Sequence, residues 1–278
     1  MEKVQESSKI LKFLYNTVPG RVVLKLLTSP TISKIGGAYM NSGISKIHIK
    51  GFIKNNGIDM SQYEKTEYKN FNECFTRKIL PECRPVCQEE DTFISPCDGR
   101  LSAYHIDEES AFKIKNSWYR VEDLIEGSKT APDYKEGICL VFRLCVDDYH
   151  RYGNIDDGEI LENRYIKGKL HTVRPIALNR YQVFVQNSRE YTIIDTKHFG
   201  KIAQIEVGAL MIGKIKNHQK SGTLKRGTEK GMFLYGGSTI VVLLEKDKVD
   251  IPDIYFENTD KDIETKVKWG SRLGGLKK

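Results

Sequence analysis

Beyond Asp91 the sequence breaks into short apolar runs separated by turn residues, and this spacing limits the fold more than any other feature. GRLSAYHI, GICLVFRL, QVFVQN, EYTIID, AQIEVGALMIGKI and STIVVLL each have strand length and favour β-branched or aromatic residues. They do not alternate with helical segments as βαβ units would. The pattern therefore predicts an α+β, β-rich protein whose core is an antiparallel sandwich or barrel-like body. A chain of 278 residues, 39% apolar and 29% charged, can bury such a core. The closing stretch, KWGSRLGGLKK, reads as a loose basic tail.

The N-terminal part has another texture. Residues 1–57 hold nine Lys/Arg and two acids, a surplus of 9 − 2 = +7, which equals the net charge of the whole chain. SKILKFLYN places Ile10, Leu11, Phe13 and Leu14 on one helical side; Pro19-Gly20 breaks the pattern, RVVLKLL resumes it, and Ser29-Pro30 punctuates again. Such basic amphipathic helices can lie in a membrane interface or cap the body with solvated lysines, and the pattern alone leaves both open. Further on, Phe71, Phe75, Ile79 and Leu80 have helical spacing, with Pro81 as the stop. No window reaches the roughly 18 apolar residues of a spanning helix, and no signal peptide opens the sequence, so a cytosolic location is expected. The six cysteines at 74, 83, 87, 97, 139 and 145 lack the second close Cys/His pair of a zinc site, and reduced packing thiols are expected. No metal and no nucleic-acid partner is expected.

Three places hold polar groups that need a reason. Asp98, in SPCDGRL, precedes a strand and could serve as an Asx-type turn or as a functional carboxylate. His150, in DDYHRYG, follows an apolar strand and could be a held imidazole or a surface residue. Ser238 follows Gly236-Gly237 and enters the run Thr239–Leu244, which reads as a buried strand. Asp98, His150 and Ser238 together supply an acid, a base and a nucleophile, but GGST lacks the G-x-S-x-G elbow, so a Ser-His-Asp hydrolase is disfavoured. The Ser238 hydroxyl could instead attack the carbonyl of Gly237, where glycine offers no steric block. The resulting ester, after loss of the Ser238 α-proton and elimination, would leave dehydroalanine; its imine form, taking up water and losing ammonia, would then give a pyruvoyl end.

At this point the residues resemble a family. KGMFLYGGSTIVVLL is similar to the G-x-F-x-x-G-S-T motif of phosphatidylserine decarboxylases, in a Gly-Gly-Ser-Thr variant. FNECFTRKILPECRP, SPCDGRL, DYHRY and HFGKIAQIEVGALMIGKI resemble further motifs of that family, in order, from about residue 70 to 245. The resemblance implies cleavage between Gly237 and Ser238 into a large chain 1–237 and a small chain 238–278, with Ser238 becoming the pyruvoyl cofactor. It implies decarboxylation of phosphatidylserine to phosphatidylethanolamine through a Schiff base, Asp98 acting in self-cleavage and His150 in decarboxylation. VGALMIG is a candidate apolar wall against the substrate carboxylate. Many members read D-Y-H-R-x-H, whereas the second histidine position here is Gly153. Either His150 does both jobs or another histidine serves, and His171, at the entry of a predicted strand in GKLHTVRP, is the substitute; a plain cross-strand polar role is its alternative. An anionic lipid substrate favours the membrane reading of the N-terminus. The expected organisation is a membrane-associating segment 1–67 and a catalytic domain 68–278, peripheral on the cytoplasmic face of the cell membrane, with a homodimer suggested by family likeness. The remaining alternatives are another serine-headed lipid as substrate, or a lipid-binding relative that never matures.

Overall fold

The computed structural model describes residues 2–3, 9–209, 214–235 and 238–277. Its centre is an open antiparallel sheet. In spatial order the strands are Glu2–Lys3, Ile263–Val267, Gly99–His105, Ile138–Leu144, Ser238–Leu244, Gly200–Gly208, Arg189–Thr196, Gly158–Ile166 and Gly222–Leu224. The sheet does not close on itself, so the core is a sandwich and not a barrel.

Both faces of the sheet are buried, which explains why STIVVLL is apolar without alternation. Val241 and Leu243 point into one apolar cluster, with Val141, Ile193 and Ile205. Ile240, Val242 and Leu244 point into another, with Leu140, Phe142 and Ile202. Two three-stranded sheets cover the second face. One comprises Ile215–Asn217, Glu229–Phe233 and Arg151–Gly153; the other comprises Val249–Asp250, Arg272–Leu276 and Thr92–Ile94. Lys230 and Glu206, both buried, form an ion pair at 2.9 Å that ties the first of these sheets to the large one.

The first face carries short helices and the N-terminal helices α1 (Lys9–Asn16), α2 (Val18–Leu27) and α3 (Pro30–Met40). The break expected at Pro19-Gly20 falls at Thr17, between α1 and α2, and Pro19-Gly20 lies inside the first turn of α2. Thr17 caps α2 by accepting from the Gly20 N–H, and Pro19 lies in the first turn, where a missing N–H costs nothing. Ser29 caps α3 in the same way, accepting from Ile32. Leu14, Tyr15 and Leu24 join the core, while Ile10, Val18, Val22, Leu26 and Ile35 stay exposed by 64% or more. No helix among the described residues is long and apolar enough to cross a membrane.

Three local expectations need correction. QVFVQN is no strand: Val183–Gln186 forms one helical turn. The helix from Phe71 ends at Phe75, because Ile79 leaves to bridge Tyr63 and Arg77 turns to the carbonyls of Asp147 and Asp148. The C-terminal stretch is not loose: Arg272–Leu276 is a paired strand, and Gly270 exchanges hydrogen bonds with Ser95 and Cys87.

Candidate active site

Ser238 opens the central strand and is fully buried. It pairs with Gly208 on one side and Leu144 on the other. Among the described residues its hydroxyl oxygen has no hydrogen-bond partner, nor does that of Thr239. Gly237, half of the expected scissile bond, lies outside the described residues, as do 210–213 of the expected apolar wall; Val207 and Ala209 of that wall are buried.

His150 lies six residues past Leu144 and is fully buried; its carbonyl accepts from the N–H of Phe233 at 2.9 Å. That bond ties it to the segment leading into Ser238. Its Nδ1 meets the carbonyl of Asp148 at 2.9 Å. A carbonyl can only accept, so Nδ1 carries the proton and Nε2 presents a lone pair, which no described residue engages. The Phe75 ring lies 4.0 Å from the imidazole, centroid to centroid, and Phe75 also packs edge-on against Tyr235. Burial, reinforced by the Arg77 charge, pushes the pKa of His150 down to about 3 against the lift from the Asp148 carbonyl. The resting imidazole is therefore neutral and able to take a proton.

Asp98 stands at the same end of the sheet, just before Gly99, whose backbone lies against the Arg143–Leu144 peptide. Among the described residues its carboxylate is bound by distant partners and not by the neighbouring backbone of an Asx-type turn. Arg84 grips both oxygens (Nε to Oδ1 2.8 Å, Nη2 to Oδ2 2.5 Å), and the backbone N–H of Trp269 donates to Oδ1 at 2.9 Å. No hydrogen bond joins Asp98 to His150 among the described residues. Three quoted motifs thus converge: ECRP supplies Arg84, SPCDG supplies Asp98, and the two ends of DDYHRY sit beside them.

His171 enters no strand. Its N–H donates to Asn187 Oδ1, and Asn187 Nδ2 donates to the carbonyls of His171 (2.8 Å) and Gly208 (2.7 Å). Asn187 therefore moors this segment to the residue that pairs with Ser238. The ring itself stacks on Tyr181 and shares a hydrogen bond between Nδ1 and the Tyr15 hydroxyl at 3.3 Å. Burial lowers its pKa to about 4, with Lys169 adding to the effect.

Comparison with known proteins bears on this arrangement. Residues 71–275 match the family model described as phosphatidylserine decarboxylase. The chain belongs to the phosphatidylserine decarboxylase family. It is 48% identical over 265 residues to the phosphatidylserine decarboxylase proenzyme 2 of Clostridium acetobutylicum, covering 95% of this chain and 91% of that one. It is 40% identical over 272 residues to a phosphatidylserine decarboxylase proenzyme of Ruminiclostridium cellulolyticum, covering 96% and 91%. The corresponding proenzyme of Clostridium perfringens is 39% identical over 272 residues, covering 96% and 92%.

Within this family's frame, the departure at Gly153 has a steric reason. A Cβ at position 153 would lie 2.4 Å from Nε1 of Trp269. The indole, stacked on Tyr149, occupies the volume a side chain there would need. Sequence reading missed Trp269 because it sits in a stretch read as a tail. It also missed Arg100, which holds the buried Asp148 (2.9 and 3.0 Å) and thereby the carbonyl that orients His150. Arg77 and Arg84 lay inside a quoted motif, yet nothing local tells that their partners are some 70 and 14 residues away.

Proposed function

We propose that this chain is a self-processing decarboxylase that converts phosphatidylserine to phosphatidylethanolamine, with a pyruvoyl group made from Ser238. The observation that carries this reading is the Ser238 hydroxyl: buried, without a partner among the described residues, and fixed at the first position of the central strand. A serine in that place is not a folding device. A buried hydroxyl without a partner costs about 1–3 kcal/mol, which a valine or alanine would avoid.

The residues fit the group. Pairing to both neighbouring strands from Ser238 through Leu244 would hold a newly cut end in place. The pyruvoyl group would supply an electron sink for loss of CO₂. The chain's own residues do the rest. The Ser238 oxygen attacks the Gly237 carbonyl and the amide C–N bond breaks to leave an ester; loss of the Ser238 α-proton then expels the Gly237 carboxylate, cutting the chain into 1–237 and 238–278. His150 Nε2 is the proton acceptor for that step, since no described residue engages its lone pair and its neighbour Asp148 fixes the tautomer. In turnover, His150 can deliver a proton to the carbon that has lost CO₂ only after first taking one up. Arg84 and the Trp269 N–H hold the Asp98 side chain in place at the same end of the sheet. His171 serves as the alternative maturation base, through the Asn187 link to Gly208.

Residues 1–67 bring the enzyme to its lipid. The exposed apolar side of α1–α3 and the surplus of lysines support interfacial binding on an anionic membrane, consistent with a peripheral protein on the cytoplasmic face. Purified protein with phosphatidylserine in detergent micelles is expected to release CO₂ and form phosphatidylethanolamine. Ser238→Ala is expected to remain one chain and form none; product from that variant would remove Ser238 from the chemistry.

A further inference from the structure

A cavity of about 560 Å³ opens between α3 and the segments that carry Lys167, Ser188, Lys214 and Leu234. Its lining includes Ser33 and Lys34 of α3, Asn72, Lys167, Ser188 and Lys214. Small residues at Gly37 and Ala38 of α3 leave the room. None of the described residues lining it is acidic. The three lysines are exposed and make no ion pair among the described residues, so their charges are uncommitted.

The walls tie the cavity to Ser238. The Ser188 carbonyl accepts from the N–H of Gly208, which pairs with Ser238. Buried Asn72 accepts from the Tyr235 N–H at 2.9 Å, three residues before Ser238, and donates to Asn41 at the end of α3 at 2.9 Å. Leu234 donates its N–H to the carbonyl of Lys214. On the other side, α3 exposes Ile32, Ile35 and Tyr39. A molecule in this space would meet the three lysines on its walls, with the apolar residues that α3 exposes near by.

We infer that Lys34, Lys167 and Lys214 form a subsite for the phosphodiester of the glycerophospholipid substrate. It seats the phosphate so that the serine amine reaches Ser238 while the acyl chains leave over α3. Phosphate oxygens are strong acceptors, and ammonium groups meet them as point charges from several directions. This inference rests on the proposed decarboxylase reading and adds to it the residues that select a phosphodiester.

The test uses the full matured protein in uncharged detergent micelles, which removes any general attraction to an anionic surface. Lys167→Gln, Lys214→Gln and their double variant are expected to mature normally. The double variant should raise KM for phosphatidylserine about tenfold with kcat within about twofold, and Lys→Arg at both positions should restore KM. With the wild-type enzyme, sn-glycero-3-phosphoserine should inhibit at least about tenfold more strongly than serine methyl ester, and inorganic phosphate should compete only weakly because it lacks the amine. Unchanged KM in the variants, or equal inhibition by the two serine compounds, would overturn the subsite. An effect present with anionic vesicles and absent in neutral micelles would overturn it too, since the lysines would then read only surface charge. If the wild-type enzyme makes no phosphatidylethanolamine at all, the decarboxylase reading fails, and that result is distinct from these.

Discussion

The imidazole of His150 is neutral because nothing solvates its charged form. With a folded pKa near 3, cleavage that uses it as a base should keep its rate from about pH 7.5 down to pH 5. A rate, followed by the appearance of the two chains, that halves near pH 6.5 would contradict this role. The sign for stability is the same for both buried histidines. The unfolded chain binds protons below about pH 6.5, whereas folded His150 and His171 do not until about 3 and 4. Their contribution is therefore complete above pH 6.5 and falls as the pH drops toward those values. Gly153 gives a second prediction. Gly153→His should cost about 1–3 kcal/mol by forcing its Cβ into the Trp269 indole, and Trp269→Ala in the same chain should return part of that loss. Denaturant unfolding measures both, and a cost-free Gly153→His would mean the indole does not fill that space. Ser238 and His150 were legible in sequence because motifs carry them. The loss of the second histidine was legible as well, but its cause was not, since Gly153 and Trp269 lie 116 positions apart (269 − 153).

At the scale of elements, α2 shows how one helix can serve two surroundings. Leu24 packs inward, while Val18, Val22 and Leu26, spaced by four, face outward uncovered. Val22→Ser with Leu26→Ser should lower binding to anionic vesicles several-fold, since each loses buried apolar contact with the acyl boundary. Leu24 and the core stay intact, so self-cleavage should continue. Flotation with vesicles reads this, and unchanged binding would contradict the interfacial role of the helix. Strands were mostly legible here because the burial of both sheet faces leaves continuous apolar runs. QVFVQN misled because an apolar run of that length suits a strand or a helical turn equally. The helix at Phe71 was overextended because its end is set by distant partners: Tyr63 for Ile79 and Asp147 for Arg77.

Across the whole molecule, the site exists only where distant segments meet. The segment before residue 90 brings Arg84, the sheet brings Ser238, the connections at its end bring Asp98 and His150, and the last ten residues bring Trp269 and a covering strand. Cleavage at 237/238 would leave the small chain with both the central strand and Trp269. Seven residue pairs to Ile138–Leu144 and seven to Gly200–Gly208 would keep it in place without a covalent link. This convergence is what sequence could not show, because each contact is long-range and the tail carries no pattern of its own. Intact-mass spectrometry of the purified protein under denaturing conditions tests self-processing most directly. The expected result is two species, residues 1–237 and residues 238–278, the smaller lighter by one ammonia than the peptide with a free amino-terminal serine. A single uncut chain of 278 residues under all conditions would contradict it.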